Sequence, residues 1–248
     1  MKFDDKIALV TGGASGIGRA TVMEFARSGA TVICADVDEA KGAEVAKEAK
    51  QSNFKVEYVP INLANPAAIR TCASGILANH PRIDILVNAA GWNDIQPFIE
   101  NAPDYMERVI AINLGGTLHL TQALLPTMMA AGKGKIVNVS SDAGRVGSSG
   151  ETTYAAAKGG VIAFTKSLAR EVARYSINVN CVCPGPTDTP MLQSRPEKLR
   201  EAFLRAIPFK RFAKPQEIAD AIMFFASSRS DYITGQVMSV SGGLTFAG

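Results

Sequence analysis

The sequence is poor in the residues that metal centres and disulfide-stapled folds require. Its 248 residues include two histidines and four cysteines. His80 and His119 have no ligand-like spacing, so the sequence predicts no metal site. The cysteines fit a reducing compartment. Cys181 and Cys183 alternate along a predicted buried strand, where we expect them to be structural.

Long apolar runs and an excess of one charge are also missing. No run of about 18 apolar residues occurs, so no membrane-spanning helix is expected. The 26 Lys and Arg against 23 Asp and Glu give a net charge of +3, too small to indicate a nucleic-acid partner. The first residues, MKFDDKIALVTGG, carry two aspartates and lead directly into a strand-like run. They do not resemble a signal peptide, and we expect a cytoplasmic protein.

What the sequence does contain is a regular alternation of short apolar runs and amphipathic segments. The runs predicted as strands are 6–12, 31–37, 55–61, 84–91, 135–141, 177–185 and 235–243. Several lack polar alternation, which is typical of strands covered on both faces. The alternation predicts an α/β fold, one doubly wound sheet in a single domain over 1–248. The segment 187–214 interrupts the rhythm and predicts a helical lid.

A glycine-rich turn, LVTGGASGIGRA, joins the first strand to the first helix. Such a turn lets the backbone approach a pyrophosphate at a helix N-terminus. Its spacing is T-G-x-x-x-G-x-G rather than the dinucleotide pattern G-x-G-x-x-G, so the turn alone leaves a structural role open. Asp36 ends the second predicted strand, where a carboxylate binds an adenosine ribose and repels a 2′-phosphate. This favours NAD over NADP, unless Asp36 is only a solvated strand end.

Tyr154 and Lys158 are separated by three alanines on a predicted helix, and residues four apart share a face. One interpretation is a lysine stem lying over a half-buried tyrosine. The other is proton chemistry, because a neighbouring cation favours the phenolate and so suits the phenol to general acid–base work.

Four motifs in order decide between these interpretations: TGGASGIG, NAAG at 88–91, the Tyr154–Lys158 pair, and PGPTDT at 184–189. With them the chain resembles the short-chain dehydrogenase/reductase family over essentially its whole length. The resemblance implies a single Rossmann-like domain with a seven-stranded parallel sheet, and a homotetramer.

The resemblance also implies roles for four catalytic residues. Tyr154 is the acid/base, and Lys158 binds the nicotinamide ribose and eases deprotonation of the tyrosine. Ser141, rather than Ser140, hydrogen-bonds the substrate oxygen. Asn113 supports a proton relay by holding water. Ser141 as a capping hydroxyl and Asn113 as a polar helix residue are the alternatives.

NAD is the implied cofactor. The residues expected to contact it are Gly12, Ser15, Gly16, Ile17, Gly18, Asp36, Asn62, Leu63, Asn88, Ala89, Gly91, Tyr154, Lys158, Pro184, Gly185 and Thr187. Asn62 departs from the family, which commonly has an aspartate that contacts adenine there.

The substrate is less well defined by the sequence. Residues 195–215 carry seven Lys or Arg against Glu197 and Glu201. A basic lid would favour an anionic substrate such as a phosphate-bearing thioester, although a solvated amphipathic helix has the same pattern. Candidate pocket residues are Trp92, Ser141, Asp142, Arg145, Glu151, Met191 and Phe203.

Longer stretches, among them NAAGWNDIQPF and SDAGRVGSSGE, resemble the 2-hydroxycyclohexanecarboxyl-CoA dehydrogenases. This implies NAD-linked oxidation of a cyclic β-hydroxyacyl-CoA, a small-molecule substrate. The alternatives are a 3-oxoacyl carrier-protein reductase, which would use NADPH against the argument from Asp36, and a simple cyclic or sugar alcohol dehydrogenase. A catalytically idle scaffold of the same family is the non-enzyme alternative, but it would have no need of the four catalytic residues.

Overall fold

Seven parallel strands form one sheet in the computed structural model, which describes residues 1–246. The last two residues of the predicted domain, Ala247 and Gly248, lie outside the described residues. The strands are β1 (Ile7–Thr11), β2 (Thr31–Asp36), β3 (Val56–Pro60), β4 (Ile85–Asn88), β5 (Gly134–Val139), β6 (Ile177–Pro184) and β7 (Val237–Val240). Their order across the sheet is β3-β2-β1-β4-β5-β6-β7. The predicted seven-stranded, doubly wound fold is confirmed.

Helices connect the strands and cover the sheet. They are α1 (Gly16–Arg27), α2 (Glu39–Gln51), α3 (Pro66–Asn79), α4 (Pro103–Ile110), α5 (Gly116–Ala131), α6 (Ala143–Val146), α7 (Thr152–Val172), α8 (Pro190–Gln193), α9 (Glu197–Ala206) and α10 (Pro215–Ala226). A π-helical turn, Ala111–Gly115, links α4 to α5 without a break.

Two apolar cores lie on opposite faces of the sheet, as the strand composition predicts. Successive residues of β1 point to opposite faces, so that Val10 belongs to one core and Leu9 to the other. The first core includes Phe25 of α1 and Ile222 of α10. The second includes Leu124 of α5, together with residues of α3 and α7. All of these side chains are fully buried, which explains why the strands read as continuous apolar runs.

The chain changes direction between β1 and β4, and this opens a crevice at the carboxyl ends of the strands. There the Thr11 hydroxyl accepts hydrogen bonds from the backbone N–H groups of Ala89 and Ala90, at 3.1 and 3.2 Å. Gly12 has φ +66°, and a Cβ on it would lie 2.8 Å from the Ala90 Cα. A side chain at this position would push the two strand ends apart, so glycine is required here.

The segment 187–214 carries α8 and α9, and its two ends meet in an isolated parallel bridge between Thr187 and Ala213. It therefore leaves and rejoins the domain at nearly one point, as expected of an insertion. Its action as a lid stays a prediction.

One stretch of helix, Pro103–Ala131, is long and apolar enough to cross a membrane by length and composition. Within it, α5 buries Leu120, Leu124 and Met128 in the core beside α3 and the sheet. This packing accounts for its apolar character as one layer of the α/β fold.

Candidate active site

A cavity of about 1130 Å³ occupies the crevice at the carboxyl ends of the strands. It is continuous from Asp36 at one end to Tyr154 and the α8–α9 segment at the other. The predicted cofactor residues that line it are Gly12, Ser15, Gly16, Ile17, Gly18, Asp36, Asn62, Leu63, Ala89, Gly91, Tyr154, Lys158, Pro184, Gly185 and Thr187. The predicted pocket residues that line it are Trp92, Ser141, Asp142, Glu151, Met191 and Phe203.

The glycine-rich turn presents a helix N-terminus to this cavity. Helix α1 begins at Gly16 with no acidic residue in its first turn and no side-chain cap from Ser15. Its first backbone N–H groups are therefore free to bind an anion, and the helix dipole favours one. A Cβ on Gly18 would lie 2.0 Å from the Gly12 carbonyl oxygen, so the close packing of helix on strand depends on glycine there. This arrangement fits a dinucleotide pyrophosphate.

The Asp36 end of the cavity is held by backbone hydrogen bonds and is anionic. One carboxylate oxygen of Asp36 accepts from the Ala14 N–H at 2.9 Å, and the other from the Asp38 N–H at 3.0 Å. Lys41 also lines this end, where its ammonium lies 2.7 Å from the Asp38 carboxylate. The carboxylates of Asp36 and Asp38 outnumber the single ammonium of Lys41, so this end has a net negative charge. It therefore suits ribose hydroxyls better than an additional phosphate.

Asn62 lies at the same end and folds back on its own turn, accepting a hydrogen bond from the Ala64 N–H at 3.0 Å. Its side-chain N–H groups remain available to a ligand, whereas an aspartate would offer acceptors only.

Tyr154 and Lys158 lie one turn apart near the start of α7, as predicted. The Lys158 ammonium is 3 % exposed and donates a hydrogen bond to the Val139 carbonyl at 2.9 Å. It lies 5.7 Å from the centre of the Tyr154 ring. Burial lowers the pKa of Lys158 to about 8, only partly opposed by the Cys181 and Cys183 thiols.

The pKa of Tyr154 is raised, chiefly by burial and then by the Glu151 carboxylate. The groups that lower it are the Ser141 hydroxyl and the Arg195 guanidinium. The Lys158 ammonium is directed at the Val139 carbonyl at the end of β5, and its effect on the Tyr154 phenol stays a prediction.

The two serines that follow β5 have different partners. The Ser140 hydroxyl donates to the Lys158 carbonyl at 2.8 Å and is therefore committed to fixing the helix. The Ser141 oxygen accepts from the Ala143 N–H at 3.1 Å, and its hydroxyl faces the Tyr154 phenol, whose pKa it lowers. Of the pair, Ser141 is the one equipped to bind a substrate oxygen.

Asn113 does not line the cavity. It is fully buried in the π-helical turn, a type of turn that is frequent at functional sites. Its amide donates to the carbonyls of Trp92 and Val109, at 2.7 and 2.9 Å, and its oxygen accepts from the Trp92 N–H at 3.2 Å. The side chain therefore fixes the backbone at Trp92. Its support of a proton relay through water stays a prediction.

Asn88 is likewise not among the residues that line the cavity, and its contact with the cofactor stays a prediction. It is the last residue of β4 and is buried, with its side chain directed into the protein. Its amide donates to Asn138 at 2.8 Å and to Thr121 at 3.1 Å, and Asn138 donates in turn to Thr165 at 2.9 Å. These bonds tie β4 and β5 to α5 and α7 beneath the site, so Asn88 supports the cavity floor.

Arg145 is not among the residues that line the cavity, and its guanidinium lies 3.5 Å from the carboxylate of Asp142, which does line it. A contact of Arg145 with the substrate stays a prediction. The Asp142 carboxylate also accepts from Ser239 at 2.9 Å and from Thr245 at 2.5 Å. Leu244 and Thr245 line the cavity. This part of the C-terminal segment thus forms part of the cavity wall. No local motif could have revealed this contact.

The sequence predicts that the basic residues of 195–215 face the cavity, but in the structure most of them do not line it. Of the seven Lys and Arg in this segment, Arg195 alone lines the cavity. Arg195 is bound to the Asn93 carbonyl at 2.6 Å and to the Asp94 carboxylate at 3.2 Å. Others are paired elsewhere, for example Arg211 with Glu217 at 2.6 Å.

The substrate wall after β4 is built around Trp92. Its ring lies 5.6 Å from the Tyr105 ring, and the Arg108 guanidinium lies over it at 4.1 Å. The adjacent Asn93 donates to the Glu151 carboxylate at 2.7 Å. Cavity residues on this side that the sequence did not reveal are Ile95, Arg108, Val146, Gly147, Ser148, Leu192, Arg195, Leu244 and Thr245.

Cys181 and Cys183 are buried on β6 with their sulfurs 3.9 Å apart and no disulfide between them. Among residues 1–246, no three His, Cys, Asp or Glu side chains are grouped as metal ligands.

The chain is similar to known proteins over nearly its full length. A family model of short-chain dehydrogenases, described as enoyl-(acyl carrier protein) reductase, matches residues 12–245. The protein named 3-oxoacyl-[acyl-carrier-protein] reductase FabG in Thermotoga maritima is 42% identical over 244 residues, covering 98% of this chain and 99% of the relative. FabG of Escherichia coli is 38% identical over 244 residues, with the same coverage.

The fold also matches a solved structure, the crystal structure of gox2181, with a TM-score of 0.94 and 29% identity. The match covers 98% of this chain and 96% of that one. The names of the relatives favour the carrier-protein reductase alternative over the cyclic acyl-CoA dehydrogenase. The family model and these relatives show that the chain belongs to the short-chain dehydrogenase/reductase family, a family of nicotinamide-dependent oxidoreductases.

Proposed function

We propose that this protein interconverts a 3-oxoacyl thioester and the corresponding 3-hydroxyacyl thioester with NAD(H). The observation that carries the proposal is one continuous cavity with the glycine-rich turn and Asp36 at one end and Ser141, Tyr154 and Lys158 at the other. The β-oxo thioester is the chemistry common to the names of the FabG relatives and to the resemblance to cyclic β-hydroxyacyl-CoA dehydrogenases.

A bound nicotinamide supplies hydride to the ketone carbon, or removes it from the carbinol carbon, and the protein supplies position and a proton. The Ser141 hydroxyl donates a hydrogen bond to the substrate oxygen. In reduction, Tyr154 gives its phenolic proton to that oxygen as negative charge develops on it. In oxidation, the phenolate takes the same proton back.

A phenol is protonated at neutral pH at its ordinary pKa of about 10, and the raised pKa of Tyr154 reinforces this, which suits it to the reductive direction. Lys158 is mostly protonated at pH 7, because its pKa is about 8. It would hold the nicotinamide ribose from its position behind the tyrosine. The turn of Gly12 to Gly18 would hold the pyrophosphate.

The charges at the Asp36 end support NAD(H) rather than NADP(H). A 2′-phosphate would approach the Asp36 carboxylate, while the nearby Lys41 is already bound to Asp38. The negative charges of the phosphate and the carboxylate would repel each other there. The preference therefore differs from the NADPH expected of a carrier-protein reductase.

Within the thioester class, an open-chain 3-oxoacyl group on a carrier is favoured by the names of the relatives. A cyclic acyl group such as 2-hydroxycyclohexanecarboxyl-CoA is the second candidate, favoured by the flat Trp92 ring at the substrate wall.

The test is a matrix of steady-state rates, followed at the nicotinamide absorbance. NADH and NADPH are each paired with acetoacetyl-CoA, a 3-oxoacyl carrier protein and cyclohexanone, and 2-hydroxycyclohexanecarboxyl-CoA is oxidised with NAD and NADP. We expect kcat/KM to be highest with NADH and a thioester. Cyclohexanone as the best substrate would overturn the thioester proposal, and NADPH as the better reductant would overturn the role of Asp36.

We also propose a cytoplasmic homotetramer. Half-buried apolar side chains of α5 and α7 support subunit contacts there: Leu118, and Leu125 and Phe164 at the edge of the second core, leave part of their surface exposed. Light scattering coupled to gel filtration tests this, and a monomer would contradict it.

A further inference from the structure

Arg108 and Trp92 form a distinctive pair at the rim of the substrate end of the cavity. Both line the cavity, and the guanidinium carbon of Arg108 lies 4.1 Å from the centre of the Trp92 ring. The Arg108 side chain is exposed, whereas Trp92 is half-buried. Stacking holds a guanidinium flat on the ring and leaves the N–H groups at its edge free to bind.

The other cations that line the cavity already have partners. Lys41 is paired with Asp38, Arg195 with Asp94, and Lys158 with the Val139 carbonyl. Within residues 1–246, no carboxylate lies at ion-pairing distance from Arg108.

Contacts of the neighbouring residues place the pair on the substrate side rather than the adenosine side. Tyr105, which packs on Trp92, donates its hydroxyl to Asp94, the residue that holds Arg195. The intervening Asn93 binds Glu151, three residues before Tyr154. The wall therefore runs from Arg108 towards the catalytic tyrosine, whereas Asp36 lies at the far end of the cavity.

From this geometry we infer that Arg108, held over the Trp92 ring, binds the phosphate of a phosphopantetheine-borne substrate at the entrance to the cavity. A planar guanidinium pairs with phosphate through two parallel hydrogen bonds, which suits a fixed anchor for a flexible thioester arm. The sequence assigned the binding of an anionic substrate to the basic segment 195–215, whose charges are turned away from the cavity or paired. The present inference assigns that binding to Arg108 of α4. It rests on the proposed thioester function.

Trp92 also supplies the measurement, because it is the single tryptophan of the sequence. Its fluorescence is titrated with 4′-phosphopantetheine and with pantetheine, which differ by one phosphate, in wild type and Arg108→Gln. Arg174→Gln is the matched control, since Arg174 stacks on Tyr175 at 4.9 Å but lies outside the cavity.

We expect wild type to bind 4′-phosphopantetheine more tightly than pantetheine. Arg108→Gln should raise the Kd for the phosphorylated ligand about tenfold, the effect of losing a charge-assisted hydrogen bond. The Kd for pantetheine and the Kd for NADH should stay unchanged, as should all three constants in Arg174→Gln. A parallel titration with CoA distinguishes the two sources of the phosphate. Equal binding of CoA and 4′-phosphopantetheine points to the arm phosphate that carriers share, and tighter CoA binding lost in Arg108→Gln points to the nucleotide phosphates.

Three results would overturn the inference: equal binding of the phosphorylated and unphosphorylated arms, an unchanged Kd in Arg108→Gln, or a loss confined to NADH. Because binding is read without turnover, the two proposals fail separately. Phosphate-dependent binding without thioester reduction would refute the proposed reaction and leave the phosphate site standing. Reduction of acetoacetyl-CoA with the same KM by wild type and Arg108→Gln would support the proposed reaction and refute the phosphate site.

Discussion

Replacing Lys158 by methionine should stabilise the protein at neutral pH while abolishing turnover. Burial lowers the pKa of Lys158 from its ordinary value of 10.5 to about 8. At about 1.4 kcal/mol per pH unit, this difference opposes folding by about 3 kcal/mol at pH 7. The hydrogen bond to the Val139 carbonyl returns about 1 kcal/mol. Methionine fills a similar volume without a charge, so Lys158→Met should gain about 2 kcal/mol in free energy of unfolding.

The gain should depend on pH in a direction fixed by proton linkage. Between pH 8 and 10.5, Lys158 has released its proton in the folded protein but retains it in the unfolded chain. The unfolded state then binds more protons, so the stability of wild type rises with pH relative to the variant. At pH 7 both states are protonated and the full cost remains. The advantage of Lys158→Met should therefore fall by about 2 kcal/mol between pH 7 and pH 9.5.

Urea unfolding followed by far-UV circular dichroism at the two pH values measures this difference. Lys166→Met is the control, because Lys166 lies on the same helix but is exposed. Its effect should be small and independent of pH. A Lys158→Met variant that is less stable than wild type at both pH values, or a difference that does not change with pH, would refute the reasoning.

Three further substitutions test separate parts of the site. Tyr154→Phe should bind NADH as wild type does but lose at least about 100-fold in kcat, since the phenolic proton is the one transferred; an unaltered kcat removes Tyr154 from the reaction. Asp36→Asn should reduce the ratio of kcat/KM for NADH over NADPH, because the repelling charge is gone; a ratio equal to that of wild type would show that Asp36 does not select the cofactor. Thr245→Val should raise the thioester KM but not the NADH KM, because the bond to Asp142 is lost, and Thr245→Ser should preserve both. If Thr245→Val and Thr245→Ser have the same thioester KM, the Thr245 hydroxyl does not position the substrate wall.

The fold was accessible from the sequence because it is encoded in local patterns. Each of the seven predicted strands is present, with ends shifted by a few residues, since continuous Val- and Ile-rich runs leave few alternatives to buried parallel strands. The relation of Tyr154 to Lys158 was accessible because residues four apart share one face of a helix, whereas the roles of Ser141 and Asn113 were implied by the family resemblance.

The sequence did not reveal the direction of side chains that depend on the surrounding packing. Asn88 occupies a cofactor motif, yet its side chain points below the sheet to Asn138. Arg145 turns to Asp142, and Asp142 in turn binds Thr245 across 103 residues of sequence. The prediction that the basic segment 195–215 faces the substrate failed for the same reason. Counting Lys and Arg along a segment does not reveal which of them are paired.

The hydrogen bond between Asp142 and Thr245 determines how much of the chain must be synthesised before the cavity is complete. The adenosine end of the cavity is built from Asp36, Asn62 and the turn after β1, all within the first quarter of the chain. The substrate end is not closed until β7 has joined the sheet edge and Thr245 has reached Asp142. Since a domain generally folds as a unit, the nucleotide cleft and the substrate wall of this single sheet should form together, once β7 has been synthesised. Catalytic turnover would therefore report that the last strand has been incorporated, and during refolding it should return together with nucleotide binding.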